Sequence, residues 1–293
     1  MRVFLTGANG FIGTAVAEEL RAAGHEILGQ ARNDAAAATL ESRGIAVHRG
    51  DLNDPASFAA GARLCDGVIH TAFIHDFTKF AENMAIEQKA VVAMVEALQG
   101  SGKPLVVTSG TGLLAAGRMA VETDTMQREG RGETEAIVLA ASGIRSSSVR
   151  LPPITHEGAD GGFGPLLIQG ARDKGVSNYV GEGANHWPAG HRRDAARIFR
   201  LALEKGEAGG VYHAIGDEGV PTRDIAAAIG RRLGVPTASI TAEQAMEQFG
   251  FVGMFFSLDI PASSAITQAK LGWRPEGAGL LQDLEFGAER NAA

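Results

Sequence analysis

Apolar and polar positions divide the first half of the chain into short apolar runs and amphipathic segments of helical period. The apolar runs predict strands at 3–5, 26–31, 45–47, 67–71, 105–108 and 144–151. The segments between them predict helices at 12–23, 34–42, 82–98 and 133–141. Strands that alternate with helices of this length indicate an α/β fold, in which helices cover both faces of a parallel sheet.

The pattern becomes less regular after Pro152-Pro153. It predicts isolated strands at 179–180 and 211–213, and helices at 195–204, 222–233, 242–249 and 262–271. No linker-like stretch separates the two halves. We therefore expect a sheet domain over residues 1–152 and a small α/β lobe over residues 153–293, which packs on the first domain and can return segments to it.

Composition and charge exclude several classes of protein. The 293 residues are 45% hydrophobic, which is enough for a large core, and a net charge of -7 without a basic stripe argues against nucleic acid as a partner. The single cysteine, Cys65, cannot form an internal disulfide and fits a reducing compartment. The chain begins with a strand pattern instead of a signal peptide, and no apolar run reaches the ~18 residues of a membrane span. These features favour a cytoplasmic protein that does not enter a membrane.

Three glycines, Gly7, Gly10 and Gly13, follow the first predicted strand and open the first predicted helix. In that context the first glycine permits a tight turn, the second lets the backbone approach a pyrophosphate, and the third lets the helix pack on the strand. The helix N-terminus supplies amides and a positive dipole to the phosphates. The sequence therefore predicts a doubly wound (Rossmann) sheet that binds a dinucleotide. The other residues of the turn that we expect to contact it are Asn9, Phe11 and Ile12.

The end of the second predicted strand discriminates NAD from NADP, because a ribose 2′-hydroxyl is usually bound by Asp or Glu and a 2′-phosphate needs positive charge. The strand ends at Ala31, Arg32 follows, and the first carboxylate after it is Asp34. Arg32 can stack on adenine and form a bidentate pair with phosphate. We therefore predict NADP, with NAD as the alternative if Arg32 is only a solvated side chain.

Asp51 and Leu52 follow the third predicted strand. The carboxylate can accept a hydrogen bond from the adenine amino group while the leucine covers the ring. A helix N-cap before Pro55 is the other role for a carboxylate here, and Asp54 fits it better. We predict an adenine contact for Asp51 and Leu52.

Together these features resemble the short-chain dehydrogenase/reductase superfamily, and more narrowly its extended and atypical members of the NAD-dependent epimerase/dehydratase type. The resemblance extends over nearly the whole chain, through the segments 6–13, 51–52, 66–72, 106–109, 150–153, 191–196 and 270–275. It implies that the lobe binds the substrate and that helices 82–98 and 133–141 form a homodimer. It also implies cofactor contacts from Thr71, Ala72, Thr108, Pro152, Pro153 and Ile154.

The family's catalytic pair is replaced in this chain. The family acid is a tyrosine in Tyr-x-x-x-Lys, but neither Tyr179 nor Tyr212 has a lysine four residues later. One alignment places Arg131 at the tyrosine and Glu135 at the lysine, and a frame four residues earlier gives Gln127 and Arg131. Loss of a general acid costs about 10²–10⁴ in rate, so hydride transfer stays feasible where the substrate is well positioned.

Hydroxyl groups at the end of the fifth predicted strand are the candidate catalytic residues. Ser109 and Thr111 flank Gly110, the position at which the family has a hydroxyl. A proton could come from water, from Thr111 or from an ionisable group of the lobe. Two candidate substrate-binding residues are His75, after the fourth strand, and Trp187, in the lobe. Their alternatives are a solvated loop histidine and a buried aromatic side chain.

We predict an NADP-preferring oxidoreductase that reduces a small carbonyl or a related unsaturated substrate. A sugar-nucleotide epimerase or dehydratase is an alternative that the missing Tyr/Lys pair disfavours. A non-catalytic dinucleotide sensor that recruits a partner is the alternative of a different class. No metal site is predicted, since His186 and His191 have no third ligand in a metal-like arrangement.

Overall fold

The computed structural model describes residues 1–76, 79–112, 114–126, 131–158 and 160–290, of which 287–290 are described by their backbone alone. The chain forms two compact units. The first unit consists of Met1–Ser109, Met126–Arg150 and Ala196–Tyr212, and the second of Gly110–Thr125, Leu151–Ala195 and His213–Ala293. The chain therefore passes between the units at several points; the sequence predicted one main boundary after Pro152 and allowed later segments to return to the first domain.

The strands and helices follow one another along the whole chain. In chain order the strands are β1 (Arg2–Thr6), β2 (Glu26–Ala31), β3 (Ala46–Arg49), β4 (Gly67–His70), β5 (Pro104–Gly110), β6 (Arg145–Leu151), β7 (Ile154–His156), β8 (Ser177–Val180), β9 (His186–His191), β10 (Gly210–His213), β11 (Asp217–Pro221) and β12 (Thr237–Ile240). The helices are α1 (Phe11–Ala22), α2 (Asp34–Ser42), α3 (Pro55–Arg63), α4 (Phe80–Leu98), α5 (Arg131–Ala140), α6 (Gly164–Lys174), α7 (Arg192–Lys205), α8 (Thr222–Leu233), α9 (Ala242–Phe249), α10 (Phe251–Phe256), α11 (Ala265–Leu271) and α12 (Leu280–Arg290).

The main sheet has seven strands in the order β10-β6-β5-β4-β1-β2-β3. The pairs from β3 through β2, β1 and β4 to β5 are parallel. The order reverses between β1 and β4, so the carboxyl ends of these two strands form the crevice in which such sheets bind ligands. The predicted α/β fold with a doubly wound parallel sheet is confirmed.

The core of the first unit lies between this sheet and its helices. Its buried members include Phe4 of β1, Phe58 of α3 and Met94 of α4. The predicted elements of this region agree with the structure, and α2 has the predicted bounds. Helix α3 was not predicted, because four of its nine residues are alanine and one, Gly61, is glycine, so its apolar period is weak. That glycine is needed, since a Cβ there would lie 2.4 Å from the Phe4 ring.

The second unit contains two small sheets, with the strand orders β11-β9-β7 and β12-β8. Its core includes Trp187, Phe255 and Phe256. The predicted strand at 179–180 belongs to β8, which pairs with β12. The prediction that 211–213 form an isolated strand was wrong, because these residues belong to β10 at one edge of the main sheet.

Within the described residues, no helix combines the length and the apolar character needed to span a bilayer. The same part of the chain holds no cluster of three or more histidine, cysteine or acidic side chains arranged to bind a metal ion.

Candidate functional site

The glycine turn between β1 and α1 brings backbone segments into close contact. Gly7 has φ +67°, which favours glycine, and a Cβ there would lie 2.8 Å from Thr71 Oγ1 and from Ala72 N. A Cβ on Gly13 would lie 2.0 Å from the carbonyl oxygen of Gly7. Only glycine fits at these two positions, and this matches the dinucleotide turn that the sequence predicts.

The N-terminus of α1 has no side-chain cap. The N-cap residue is Gly10, in an extended conformation, and no side chain hydrogen-bonds to the amides that follow it. The Nδ2 of Asn9 donates a 2.8 Å hydrogen bond to the carbonyl of Ala36, which ties the turn to α2. Because the first amides of a helix have no acceptor within the helix, this end of α1 suits a pyrophosphate.

A threonine network fixes the end of β4 beside the glycine turn. The Thr71 hydroxyl donates to the carbonyl of Thr6 at 2.8 Å. The Thr6 hydroxyl oxygen lies 3.2 Å from the amide of Thr71 and 3.3 Å from that of Ala72, both of which donate to it. The segment expected to run along the cofactor is therefore held rigidly against Gly7.

The carboxyl ends of β2 and β3 carry two arginines and two acids. Arg32 is exposed directly after β2, and Asn33 caps α2 by accepting from the amide of Ala36 at 2.9 Å. Asp34, the first carboxylate after β2, pairs with Arg49 at the end of β3 at 2.6 Å, and Asp51 follows Arg49 by two residues. Both partners of the Asp34–Arg49 pair are exposed, so its energy is small.

Asp51 and Leu52 lie between β3 and α3. The Asp51 Oδ1 accepts two 2.8 Å hydrogen bonds, from the amide and from the side chain of Asn53. Leu52 is half-buried and packs on the core of the first unit. Asp54 occupies the N-cap position of α3 without a side-chain cap. The adenine contact of Asp51 and Leu52 stays a prediction.

Arg131, the residue aligned with the family's tyrosine, folds onto the carboxyl end of β5. Its Nη1 donates to the carbonyl oxygen of Thr108 at 3.1 Å and to Glu87 Oε1 at 3.4 Å. Its Cζ lies 4.2 Å over the centre of the Phe73 ring. The Thr108 hydroxyl donates to the carbonyl of His70 at 2.9 Å. The guanidinium is thus positioned by a carboxylate, a carbonyl and an aromatic face.

The ionisable groups around Arg131 are shifted toward their neutral forms. Burial raises the pKa of Glu87, and the Arg131 guanidinium opposes that shift. Burial, aided by the Arg131 charge, lowers the pKa of His70 to about 3. The same two causes lower the pKa of His75, whose ring lies 5.3 Å from that of Phe73. Both imidazoles are therefore neutral near pH 7, and the guanidinium is the cation of this cluster.

Glu135, aligned with the family's lysine, is buried in an ion pair. Its Oε2 accepts from Arg150 Nε at 2.9 Å and from the Ser148 hydroxyl at 2.7 Å, and its Oε1 accepts from Arg150 Nη2 at 2.5 Å. The side chains of Glu135 and Arg150 are 4% and 2% exposed. Glu135 therefore has a structural role. Gln127, the residue of the alternative frame, lies outside the described residues.

The two candidate hydroxyls are buried. The Ser109 hydroxyl lies 3.4 Å from the sulfur of Met126. Thr111 is 1% exposed, and no described residue hydrogen-bonds to its Oγ1. Its amide donates to the carbonyl of Leu151 at 3.0 Å. A buried hydroxyl without a protein partner is the usual state of a group that binds water or a ligand.

The second unit contains three residues expected to contact the cofactor and one, Trp187, expected to bind the substrate. Pro152, Pro153 and Ile154 are buried at the junction of β6 and β7, and their contact with a cofactor stays a prediction. Trp187 is fully buried, donates from Nε1 to the carbonyl of Phe255 at 3.1 Å and stacks edge-on to Phe256. Its proposed role in substrate binding is corrected, because its whole surface is used by the core.

Glu87 and Phe73 were not predicted as neighbours of Arg131, nor Arg49 as the partner of Asp34. Glu87 is a charged residue on the buried face of α4, which is the one sequence signal that could have drawn attention to it. Phe73 and Arg49 carry no such local signal, because their partners come from other segments of the chain.

The family's sequence profile confirms the class of protein that the turn and sheet define. The profile of the NAD dependent epimerase/dehydratase family matches residues 3–215. The chain therefore belongs to this family, whose members bind NAD(P). The resemblance stated from the sequence is confirmed.

Several known proteins are similar over most of the chain. An uncharacterized protein of Schizosaccharomyces pombe is 44% identical over 97% of this chain and 98% of its own, and one of Saccharomyces cerevisiae is 45% identical over 97% and 98%. A 2-alkyl-3-oxoalkanoate reductase of Stenotrophomonas maltophilia is 28% identical over 80% and 77%. The crystal structure of UDP-glucose 4-epimerase from Thermotoga maritima superposes with a TM-score of 0.76 at 16% identity, covering 100% of this chain and 99% of that chain. This last likeness is one of fold.

Proposed function

We propose that this chain is an NADP-preferring oxidoreductase that reduces a small carbonyl or a related unsaturated substrate. Membership of the family supports the use of a nicotinamide cofactor. The similarity to a 2-alkyl-3-oxoalkanoate reductase supports reduction of a ketone. The cofactor preference rests on Arg32, and the substrate class rests on Ser109 and Thr111.

The observation that carries the proposal is the charge at the carboxyl ends of β2 and β3. Asp34 is engaged by Arg49 at 2.6 Å, and Arg32 is exposed beside it. Asp51, two residues after Arg49, offsets the second guanidinium, so the group that favours a 2′-phosphate is the exposed guanidinium of Arg32, the first residue after β2, where the ribose 2′-position of a bound dinucleotide lies in this fold. A 2′-phosphate is stabilised by that charge, whereas a 2′-hydroxyl gains little from it.

The residues of the first unit fit the cofactor. A Cβ at Gly7 or Gly13 would collide with neighbouring protein atoms, so the tight turn requires glycine there, and α1 presents an end without a side-chain cap. The turn would hold the pyrophosphate, Leu52 would cover adenine and Arg32 would bind the 2′-phosphate. When bound, NADPH supplies the hydride that reduces the substrate carbon.

Hydroxyl groups orient the substrate in this proposal. Ser109 and Thr111, two residues apart in the chain, donate hydrogen bonds to the carbonyl oxygen, which takes one proton from solvent water. Arg131 cannot supply that proton, because arginine stays protonated in proteins. The buried ion pair with Arg150 removes Glu135 from the same role. Without a Tyr/Lys pair the chain is poorly suited to the epimerase or dehydratase reactions of its family.

The test separates binding from turnover. NADPH affinity is measured by isothermal titration, and NADPH oxidation is followed with aldehydes, ketones and quinones. We expect turnover of at least one of these classes, and a loss of about 100-fold when Ser109→Ala and Thr111→Val are combined, since they remove the donors to the carbonyl oxygen. Ser42→Ala, at the exposed end of α2, is the control. Tight NADPH binding without turnover of any class contradicts the reductase and favours the dinucleotide sensor.

A further inference from the structure

Arg131 is only partly exposed, although arginine side chains are mostly solvated. Its side chain is 24% exposed and lies against the buried carboxylate of Glu87. A partly desolvated guanidinium at this place requires an explanation beyond the stability of α5.

The contacts of Arg131 use one edge of its guanidinium. Nη1 makes both hydrogen bonds, to Thr108 O and to Glu87 Oε1. The Phe73 ring covers one face of the plane at 4.2 Å. Among the described residues, no acceptor is hydrogen-bonded to Nη2 or Nε. These two atoms form the edge of the fork that binds a carboxylate through two parallel hydrogen bonds.

Neutralisation of Glu87 does not account for Arg131 by itself. The distance between them is 3.4 Å, longer than a strong charge-assisted hydrogen bond. Burial keeps the pKa of Glu87 raised despite the guanidinium, so the cost of burying this carboxylate exceeds the stabilisation that Arg131 gives it. His70 and His75 are neutral beside the guanidinium, so neither adds a charge to the cluster. The cluster therefore retains capacity for an anion.

The anchor of Arg131 also places it beside a candidate catalytic hydroxyl. Thr108, whose carbonyl accepts from Nη1, directly precedes Ser109. A substrate whose carbonyl contacts the Ser109 hydroxyl thus has the guanidinium one residue away along β5. A substrate can use both contacts only if it carries an anionic group that reaches the guanidinium while its carbonyl contacts Ser109.

We propose that Arg131 binds the carboxylate of the substrate, and that the substrates of this chain are oxo acids, with Nη2 and Nε donating to the two carboxylate oxygens. That the substrate carries a carbonyl group rests on the proposed reductase function. That it carries a carboxylate rests on the geometry of Arg131. Phe73 and Glu87 act as positioning residues that fix the plane of the guanidinium.

The first experiment compares an acid with its ester. The probes are 3-oxohexanoate and methyl 3-oxohexanoate, with NADPH as the reductant. We expect the wild type to favour the acid in kcat/KM, and Arg131→Gln to lower the acid-to-ester ratio by about 10- to 100-fold, the range for a hydrogen bond to a charged group. Arg131→Lys keeps the positive charge beside Glu87 but loses the two parallel donors of the guanidinium. Its acid-to-ester ratio should therefore lie between those of the wild type and Arg131→Gln. An unchanged ratio in Arg131→Gln would overturn the proposal.

The second experiment does not depend on turnover. Binding of hexanoate and of hexanamide is measured on the chain saturated with NADP⁺. We expect the wild type to bind the carboxylate about 10-fold or more tightly than the amide, and Arg131→Gln to bind the two equally. Equal binding by the wild type contradicts the proposal. A carboxylate preference without reduction of any ketone supports the Arg131 site and refutes the reductase function, so the two failures are distinguishable.

Arg200→Gln is the matched control. Arg200 lies in α7, is 23% exposed and pairs with Glu19 at 2.6 Å, so its surroundings resemble those of Arg131 in burial and charge. Its replacement removes a guanidinium of the first unit far along the chain from β5. The acid-to-ester ratio of Arg200→Gln should equal that of the wild type. A similar drop in both variants would show a general effect of charge and would overturn the specific role of Arg131.

Discussion

Arg131 and Glu135 are one helical turn apart in α5, but their surroundings give them different roles. Arg131 is partly exposed, and its guanidinium keeps donors beyond those that Thr108 and Glu87 use. Glu135 has both carboxylate oxygens occupied by Arg150 and Ser148 in the core. The position that the family gives to a catalytic lysine therefore contributes to stability in this chain.

The first prediction concerns this buried pair. Glu135→Ala should lower the free energy of unfolding by about 3–5 kcal/mol, because Arg150 is left buried without a counter-charge. Urea unfolding at neutral pH measures the loss. The double variant Glu135→Leu/Arg150→Met should recover most of it, since neither charge remains. A loss under about 1 kcal/mol in Glu135→Ala would contradict the structural role.

Cofactor binding provides the control for the same pair. If Glu135 replaced the family's lysine at the ribose, the stable double variant would lose affinity for NADPH. We expect its dissociation constant to match that of the wild type. A large rise in that constant would place Glu135 at the cofactor and contradict its assignment to the core.

The second prediction concerns Cys65, which is 1% exposed. Burial raises the pKa of its thiol to about 11. At about pH 8 only a very small fraction is thiolate, the form that reacts, so the native chain should be labelled slowly by Ellman's reagent. The labelling rate should rise with pH toward the raised pKa. In concentrated guanidinium chloride the thiol should react quickly at the same pH, which is the control. Rapid labelling of the native chain would contradict the buried assignment.

Among the elements, the β1–turn–α1 segment is the part whose structure the sequence determines most completely. The glycine spacing predicted a close approach of backbone segments. At Gly7 and Gly13 a Cβ would lie 2.8 Å or less from neighbouring atoms, as a close approach requires. The sequence predicted a helix capped by Asp34 and running through Ser42; in the structure Asn33 is the cap of α2 and Asp34 is its first helical residue. Local chemistry was sufficient for these elements.

The third prediction is for this turn. Gly13→Ala places a Cβ 2.0 Å from the Gly7 carbonyl oxygen, so the turn must open and the pyrophosphate site is lost. We expect no measurable NADPH binding and a destabilisation of about 1–3 kcal/mol. Gly216→Ala is the matched control, since its Cβ would meet Pro275 at an ordinary 3.5 Å. NADPH binding by Gly13→Ala at wild-type affinity would contradict the assignment of the turn.

Other elements could not be predicted because their causes lie elsewhere in the chain. The contacts of Arg131 come from α4 and from the segment after β4, so no local pattern shows them. Strand β9 contains Pro188 and Gly190, which argue against a strand. A Cβ at Gly190 would lie 2.2 Å from the Ala214 carbonyl oxygen, so the glycine is required by close packing with a distant segment.

At the scale of the whole molecule, the sequence predicted the class of fold and allowed segments after Pro152 to return to the first domain, but it did not identify those segments. Strand β10 lies at one edge of the main sheet, although segment 151–195 of the second unit separates it in sequence from the earlier strands of that sheet. Segment 110–125 belongs to the second unit, although it lies between two strands of the first. Apolar period identifies an element but not its pairing partner, and these assignments depend on partners.

The whole molecule also determines which cofactor is bound, because the choice combines the turn after β1 with charges after β2 and β3. The comparisons with known proteins support NAD(P) in general. Preference for NADP is the central claim of this account, and it depends on Arg32 and Arg49 together.

The most direct test is the ratio of the dissociation constants of NADH and NADPH, measured by isothermal titration. The proteins compared are the wild type, Arg32→Ala, Arg49→Ala and a control, Arg63→Ala. Arg63 is an exposed arginine at the end of α3. We predict that the wild type and Arg63→Ala bind NADPH at least about 10-fold more tightly than NADH, since a phosphate–guanidinium pair contributes a charge-assisted hydrogen bond. Arg32→Ala should abolish the preference, and Arg49→Ala should reduce it. Equal affinity of the wild type for the two cofactors, or a preference that survives Arg32→Ala, would contradict the account.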